Sequence, residues 1–243
     1  MSTLYLKCEP GEIAEHVLLT GDPARVNRIA TMMENARVIA QNREFYVATG
    51  DYRGKRFSVV SSGIGAPSAA IAVEELVQLG ARSIVRVGTM MGIGLPMGCL
   101  VAATGAARFE GTSSAYLDMA FPAVPDWELA QCLIEAARNS GCKVYTGTTA
   151  TYDAFYPKMA PSLVKQGIPD LELLRNAGVI ALDMETSLLY VLGAYLRLPV
   201  VSMCLITNNA DPFEVIDNDL RDRGERDLIH AVLNGLISWS SRT

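Results

Sequence analysis

Apolar and polar positions change period repeatedly along this chain, and each change marks a predicted element. His16-Val17-Leu18-Leu19-Thr20 is a short apolar run that ends at Gly21-Asp22-Pro23. Aspartate suits a helix cap and proline a first helical position, so the pattern predicts a strand turning into a helix from about Pro23 to Met33. Phe45 to Thr49 and Lys55 to Ser61 alternate on either side of Asp51-Tyr52-Arg53-Gly54, as the arms of a hairpin do. The second arm runs into Gly63-Ile64-Gly65-Ala66-Pro67. Beyond it Ala69, Ala72, Val73, Leu76 and Leu79 recur at helical spacing around Glu74 and Glu75, which gives an amphipathic helix from Pro67 to Leu79 capped by Gly80.

Ser83 to Val87 reads as a buried strand that stops at a turn on Gly88-Thr89, with Arg86 embedded in it. Leu100 to Ala103 is a further strand, Trp127 to Asn139 a helix, and Lys143 to Gly147 a short strand. Thr148 to Gly178 is irregular and broken by Pro157, Pro161 and Pro169, in the manner of a lid or insertion. Val179 to Leu182 enters Asp183-Met184-Glu185-Thr186, which opens an apolar helix to about Leu196. Val200 to Ile206 is another buried strand, and a helix around Leu228 to Trp239 closes the chain. Strands alternating with helices imply an α/β sheet in one domain spanning residues 1–243, with ligands bound beyond the carboxyl ends of the strands. That rule gathers Gly21-Asp22, Gly63 to Gly65, Gly88-Thr89 and Thr207 to Asn209 on one rim.

Composition narrows the partners. With 26 acidic against 21 basic residues the net charge is -5, and no basic cluster exists to hold nucleic acid or an anionic membrane surface. The five cysteines lack paired or metal-type spacing, as expected of reduced thiols in the cytoplasm. The acidic start of the chain is not a signal peptide, and no apolar run approaches the roughly 20 residues of a membrane span.

Candidate chemistry begins at Arg86. A buried guanidinium requires a paired charge, so Arg86 faces either a protein carboxylate or an anionic ligand. The rim also offers backbone amides, the Thr89 hydroxyl and Arg25, which is either a solvated helix charge or a second anion ligand. Together they suit an oxyanion such as phosphate. Only two histidines are present, His16 and His230, so histidine metal sites and triads lack support. Gly63-Ile64-Gly65 lacks the third glycine of a dinucleotide fingerprint and no phosphate-loop pattern occurs, which argues against nucleotide cofactors. Glu185, after an apolar strand, is either a helix-capping carboxylate or an acceptor for a vicinal diol such as a sugar presents. An anion plus a sugar points to a nucleoside.

Gly21-Asp22-Pro23-Ala24-Arg25-Val26, Asn42-Arg43-Glu44-Phe45, Gly63-Ile64-Gly65-Ala66-Pro67-Ser68, Arg86-Val87-Gly88-Thr89 and Asp183-Met184-Glu185-Thr186 together resemble the nucleoside phosphorylase family, in order and over nearly the whole chain. Ile71 to Leu76 with Gln78-Leu79-Gly80 is most similar to the uridine phosphorylase branch. The resemblance implies a three-layer α/β/α fold on a mixed, partly barrel-like sheet. It implies phosphate, a co-substrate, bound by Gly21, Arg25, Arg86 and Thr89, with Arg43 reaching in from a neighbouring subunit of a dimer that assembles into a hexamer. Asp183, Met184 and Glu185 match the nucleoside-binding segment, Glu185 holding the ribose hydroxyls. Tyr5 stands where relatives place a partner-subunit histidine near the 5′-hydroxyl, and Phe155 matches an aromatic residue beside base and sugar. No cofactor is implied beyond a structural potassium ion, which in uridine phosphorylases sits near residues matching Glu44, Ile64 and Ser68.

The chain also departs from its family. Hexameric purine-cleaving members carry an aspartate where this chain has Asn208, and an amide cannot protonate a purine. Asn208 is instead assigned the stabilisation of the leaving base. Uridine phosphorylases grip uracil with a glutamine and an arginine after Phe-Tyr-Pro, whereas here Phe155-Tyr156-Pro157 precedes Lys158-Met159-Ala160-Pro161. Met90 and Met91 replace small residues after Thr89, either as a wall of the base site or as core packing. The sequence therefore points to a nucleoside phosphorylase of open base preference, pyrimidine or 6-oxopurine. A nucleosidase and a nucleoside-binding homologue without turnover are the competing readings.

Overall fold

In the computed structural model, which describes residues 2–155, 171–210 and 213–242, local signals set the first elements. Strand β1 (His16–Thr20) leads into helix α1 (Pro23–Ala30), whose start is fixed by the Asp22 side chain accepting from the Ala24 amide at 2.8 Å. The helix ends before Met33 because the chain turns into an edge strand, β2 (Glu34–Asn42), that sequence periodicity did not reveal. β3 (Phe45–Tyr52) and β4 (Lys55–Ser61) form the expected hairpin. Its two-residue turn has Arg53 at φ 49° and Gly54 at φ 76°, the left-handed pair that matches the twist of the flanking strands.

Helix α2 (Ala66–Gln78) is followed by β5 (Ser83–Gly92), β6 (Leu100–Phe109), α3 (Trp127–Asn139) and β7 (Val144–Tyr152). Then come α4 (Leu171–Asn176), β8 (Val179–Asp183), α5 (Thr186–Leu196), β9 (Val200–Ala210), β10 (Phe213–Val215) and α6 (Asn218–Ser240). β5, β6, β7 and β9 all run longer than predicted, so part of the irregular stretch from Thr148 is strand. Residues 171–176 of that stretch form α4, and 156–170, with the segment after Phe155, lie outside the described residues.

The ten strands of the described residues join one mixed sheet in the order β10-β9-β6-β7-β8-β5-β1-β4-β3-β2, and β9 pairs back onto β5. That extra pairing closes β5, β9, β6, β7 and β8 into a ring, so the sheet is partly a barrel, as expected. Strand side chains alternate between two cores. Val17, Ile84, Met90, Cys204 and Ile206 face one that includes α2 and α5, while Leu18, Val85, Val87, Met203 and Leu205 face one that includes α1, α3 and α6. Helices thus cover both faces, giving three layers. No helix among the described residues is long and apolar enough to cross a membrane, and all five cysteines are free thiols.

Candidate active site

Strand registers order the site. Leu19 lies opposite Arg86 in the β1 and β5 pairing, which brings Thr20, and α1 behind it, to the level of Arg86. Further along β5, Met91 lies opposite Asn208 of β9. Between them β9 carries an extra residue: Met90 pairs with Ile206 and Met91 with Asn208, so Thr207 bulges. Bulges re-aim side chains, and this one directs Asn208 to the wall of a cavity of about 700 Å³.

The predicted turn at Gly88 is corrected: β5 continues through Gly88 and Thr89 to Gly92. Thr207 to Asn209 likewise lie inside β9 rather than beyond it. Gly88 has another use. A Cβ there would stand 3.0 Å from Arg86 Cζ and 3.2 Å from Cys204 Sγ, so the missing side chain is the space the guanidinium occupies.

Arg86 is buried. Its Nη2 pairs with a Glu185 carboxylate oxygen, and its Nε lies 3.2 Å from Asp183 Oδ2. Nη1 is buried with no hydrogen-bond partner among the described residues. Burial works to lower the Arg86 pKa, but Glu185 and Asp183 outweigh it and hold the group above its ordinary value, hence charged. The protein-carboxylate alternative for Arg86 is therefore realised, and one guanidinium nitrogen has no hydrogen-bond partner among the described residues.

Arg25 is not a solvated helix charge. It is 4 % exposed; Nη1 donates to Thr20 Oγ1 at 2.9 Å, and Nε and Nη2 donate to Glu225 Oε1 at 3.3 and 2.9 Å. The capping reading of Glu185 is overturned as well, since its side chain makes no cap bond. Asp183 caps α5 in its place, accepting from the Thr186 amide at 3.0 Å and from the hydroxyls of Thr186 and Thr151 at 2.5 and 2.8 Å. Glu185 Oε1 accepts the Gly65 amide at 2.6 Å, an approach that needs the positive φ of 96° at Gly65. Burial pushes the Glu185 carboxyl above its ordinary value against the pull of Arg86, and Asp183 adds to the push.

The cavity collects most of the predicted residues. Gly21, Arg25, Arg86 and Thr89 line it, as do Asp183, Met184 and Glu185. Met90, Met91, Phe155 and Asn208 line it too, and Phe155 packs on the apolar cluster that contains Met91. Met90 and Met91 are both core residues, at 2 % and 1 % exposure, and cavity wall, so the two readings do not exclude each other.

Tyr5 and Arg43 are not part of this cavity's lining. They sit together, the Arg43 guanidinium 5.9 Å from the Tyr5 ring centroid and Asn42 Nδ2 donating to the Tyr5 carbonyl at 2.8 Å, while the next residue, Glu44, does line the cavity. Glu44 and Ile64 line the cavity and Ser68 does not, although Ser68 Oγ donates to Glu44 Oε1 at 3.1 Å. Sequence reasoning missed Glu225 and the cavity-lining Arg221, both in the charged first half of α6. Asp217, whose side chain accepts from the Leu220 amide at 2.8 Å, and the spacing of Arg221 to Glu225 were the available signals.

A sequence profile of the phosphorylase superfamily matches residues 15–237. A uridine phosphorylase of Thermococcus kodakarensis is 38 % identical over 233 residues, covering 92 % of this chain and 81 % of its own. A guanosine phosphorylase of Halorubrum lacusprofundi is 33 % identical over 244 aligned positions, covering 96 % and 98 %. A uridine phosphorylase of Escherichia coli is 36 % identical over 185 residues, covering 73 % of each chain.

Proposed function

This chain belongs to the phosphorylase superfamily, and on that premise we propose that it is a nucleoside phosphorylase, cleaving a nucleoside with phosphate to a free base and a pentose 1-phosphate. The observation that carries the reading is Arg86, which lines a cavity shared with Arg25 and Thr89 and whose buried Nη1 has no hydrogen-bond partner among the described residues. An oxyanion there would satisfy it. Glycosidic cleavage builds positive charge on the sugar and negative charge on the base. Phosphate held by Arg25, Arg86, Thr89 and the Gly21 backbone stabilises the first while attacking the anomeric carbon. Glu185 accepts from the ribose hydroxyls, and Asn208, across the cavity on β9, supports the departing base.

Pyrimidine nucleosides are the leading substrate class, supported by the names of the Thermococcus and Escherichia relatives. A 6-oxopurine nucleoside is the second, supported by the guanosine phosphorylase relative and by the Asn208 amide. The exposed Arg43, with Tyr5 beside it, supports a dimer in which each subunit completes its neighbour's site, with dimers joining into a hexamer. Glu44 and Ser68, already within hydrogen-bond distance, are the residues that would hold a structural potassium ion. Free thiols support a cytoplasmic location. A panel of purine and pyrimidine nucleosides, incubated with and without phosphate, tests the reading. Base release that requires phosphate is expected; release without it would make the protein a nucleosidase, and binding without product a nucleoside-binding protein.

A further inference from the structure

We propose that Glu225 is a positioning residue for the anion: by fixing the Arg25 guanidinium on the cavity wall, it sets affinity for phosphate while leaving nucleoside affinity alone. This rests on the phosphate reading above. A long arginine side chain loses rotamer entropy when it is fixed, so one that must present donors to a small anion needs holding. α1 is only eight residues long and the hold comes from elsewhere. Glu225 Oε1 takes two donors of Arg25 and Thr20 Oγ1 takes a third. Of the five N–H donors of a guanidinium, the remaining pair, one on each Nη, stays available to a ligand.

Glu225 is itself 4 % exposed and crowded by cations. Arg28 Nε donates to its Oε2 at 3.0 Å, and Arg221 Nε lies 3.5 Å from Oε1. Asp22 takes the far side of Arg28 at 3.1 Å. Within the ion pairs of this cluster, Arg25, Arg28 and Arg221 face Glu225 and Asp22, which leaves the cluster one positive charge in excess beside the cavity that Arg25 and Arg221 both line. An ion pair serving packing alone would be neutral and would stand apart from the cavity. The rival role, a carboxylate that repels phosphate, predicts the opposite sign on its removal.

The experiment is Glu225→Gln in the full-length protein, with phosphate and nucleoside varied independently. The expected result is a KM for phosphate raised about tenfold with the nucleoside KM within about twofold, and Glu225→Asp in between. An unchanged or lowered phosphate KM, or both KM values moving together, overturns the proposal. Should Glu225→Gln fail to fold, Thr20→Val removes the other holder of Arg25. A smaller rise confined to the phosphate KM is then expected, and no change overturns the proposal. Thermal stabilisation by inorganic phosphate, against chloride at matched ionic strength, reads the same effect without turnover. A wild type that ignores phosphate in both assays overturns the phosphate reading and this proposal with it; a responsive wild type matched by the variant overturns this proposal alone.

Discussion

Arg86 is held between two buried carboxylates, and that makes single substitutions here expensive for the fold as well as for chemistry. Arg86→Ala strands Asp183 and Glu185 without their counter-charge and is expected to cost about 3–5 kcal/mol. Adding Glu185→Gln removes one stranded charge, so the double variant should be less destabilised than the sum of the singles, which urea unfolding of all three would measure. Gly88→Ala separates the two roles. Its methyl would stand 3.0 Å from Arg86 Cζ, so the guanidinium must give by a few tenths of an ångström while keeping its carboxylate partners; phosphate-dependent turnover should fall about tenfold or more at an overpacking cost of about 1–3 kcal/mol. Turnover near wild type would mean that the guanidinium's place beside Gly88 is immaterial.

At the level of elements, α6 ties its polar half to α1 through one carboxylate. Burial pushes the Glu225 pKa up, but Arg25, Arg28 and Arg221 outweigh it and hold the group below its ordinary value. A depressed pKa contributes stability above the unfolded carboxylate value of about 4.3 that is lost as pH falls through the folded one. The urea midpoint should therefore drop on acidification from about pH 5, and Glu225→Gln should flatten that drop. The same helix marks where the sequence was legible. Trp127 to Asn139 is legible to the residue from its apolar face, and in the structure Asp126 caps it by accepting from the Leu129 amide at 2.8 Å. The half of α6 before Leu228 was missed because charged residues hide its period, although Gly224 packs there so tightly that a Cβ would fall 2.5 Å from Leu205 Cδ1. β2 and the far ends of β5, β6 and β9 were missed as well. In β2, β6 and β9 the missed residues are mostly polar, small or half-exposed and show no alternating burial, while β5 was cut at Gly88 because that glycine reads as a turn, although Met90 and Met91 beyond it are buried. That Gly21, Arg25, Arg86 and Thr89 share one cavity was legible because an arginine embedded in an apolar strand is a rare signal and strand ends in an α/β sheet gather on one rim. Glu225 was not, because a carboxylate among surface charges looks solvated.

For the whole molecule, the separation of Arg43 from this chain's cavity has a stoichiometric test. Subunits carrying Arg43→Ala mixed with subunits carrying Glu185→Gln, each inactive alone, should recover about a quarter of wild-type turnover, because half of randomly formed dimers are hybrids with one intact site. No recovery would restrict each site to a single chain. One strand, β5, carries Arg86 and Thr89 as well as Met90 and Met91, with Asn208 clamped opposite Met91. A strand advances about 3.3 Å per residue and does not stretch. Under the proposed function it is a fixed ruler between the attacking anion and the leaving base, with Met90 and Met91 among the residues that line the space for the base. Selectivity in such a design is free to drift at Met90 and Met91 while the reaction itself is inherited unchanged.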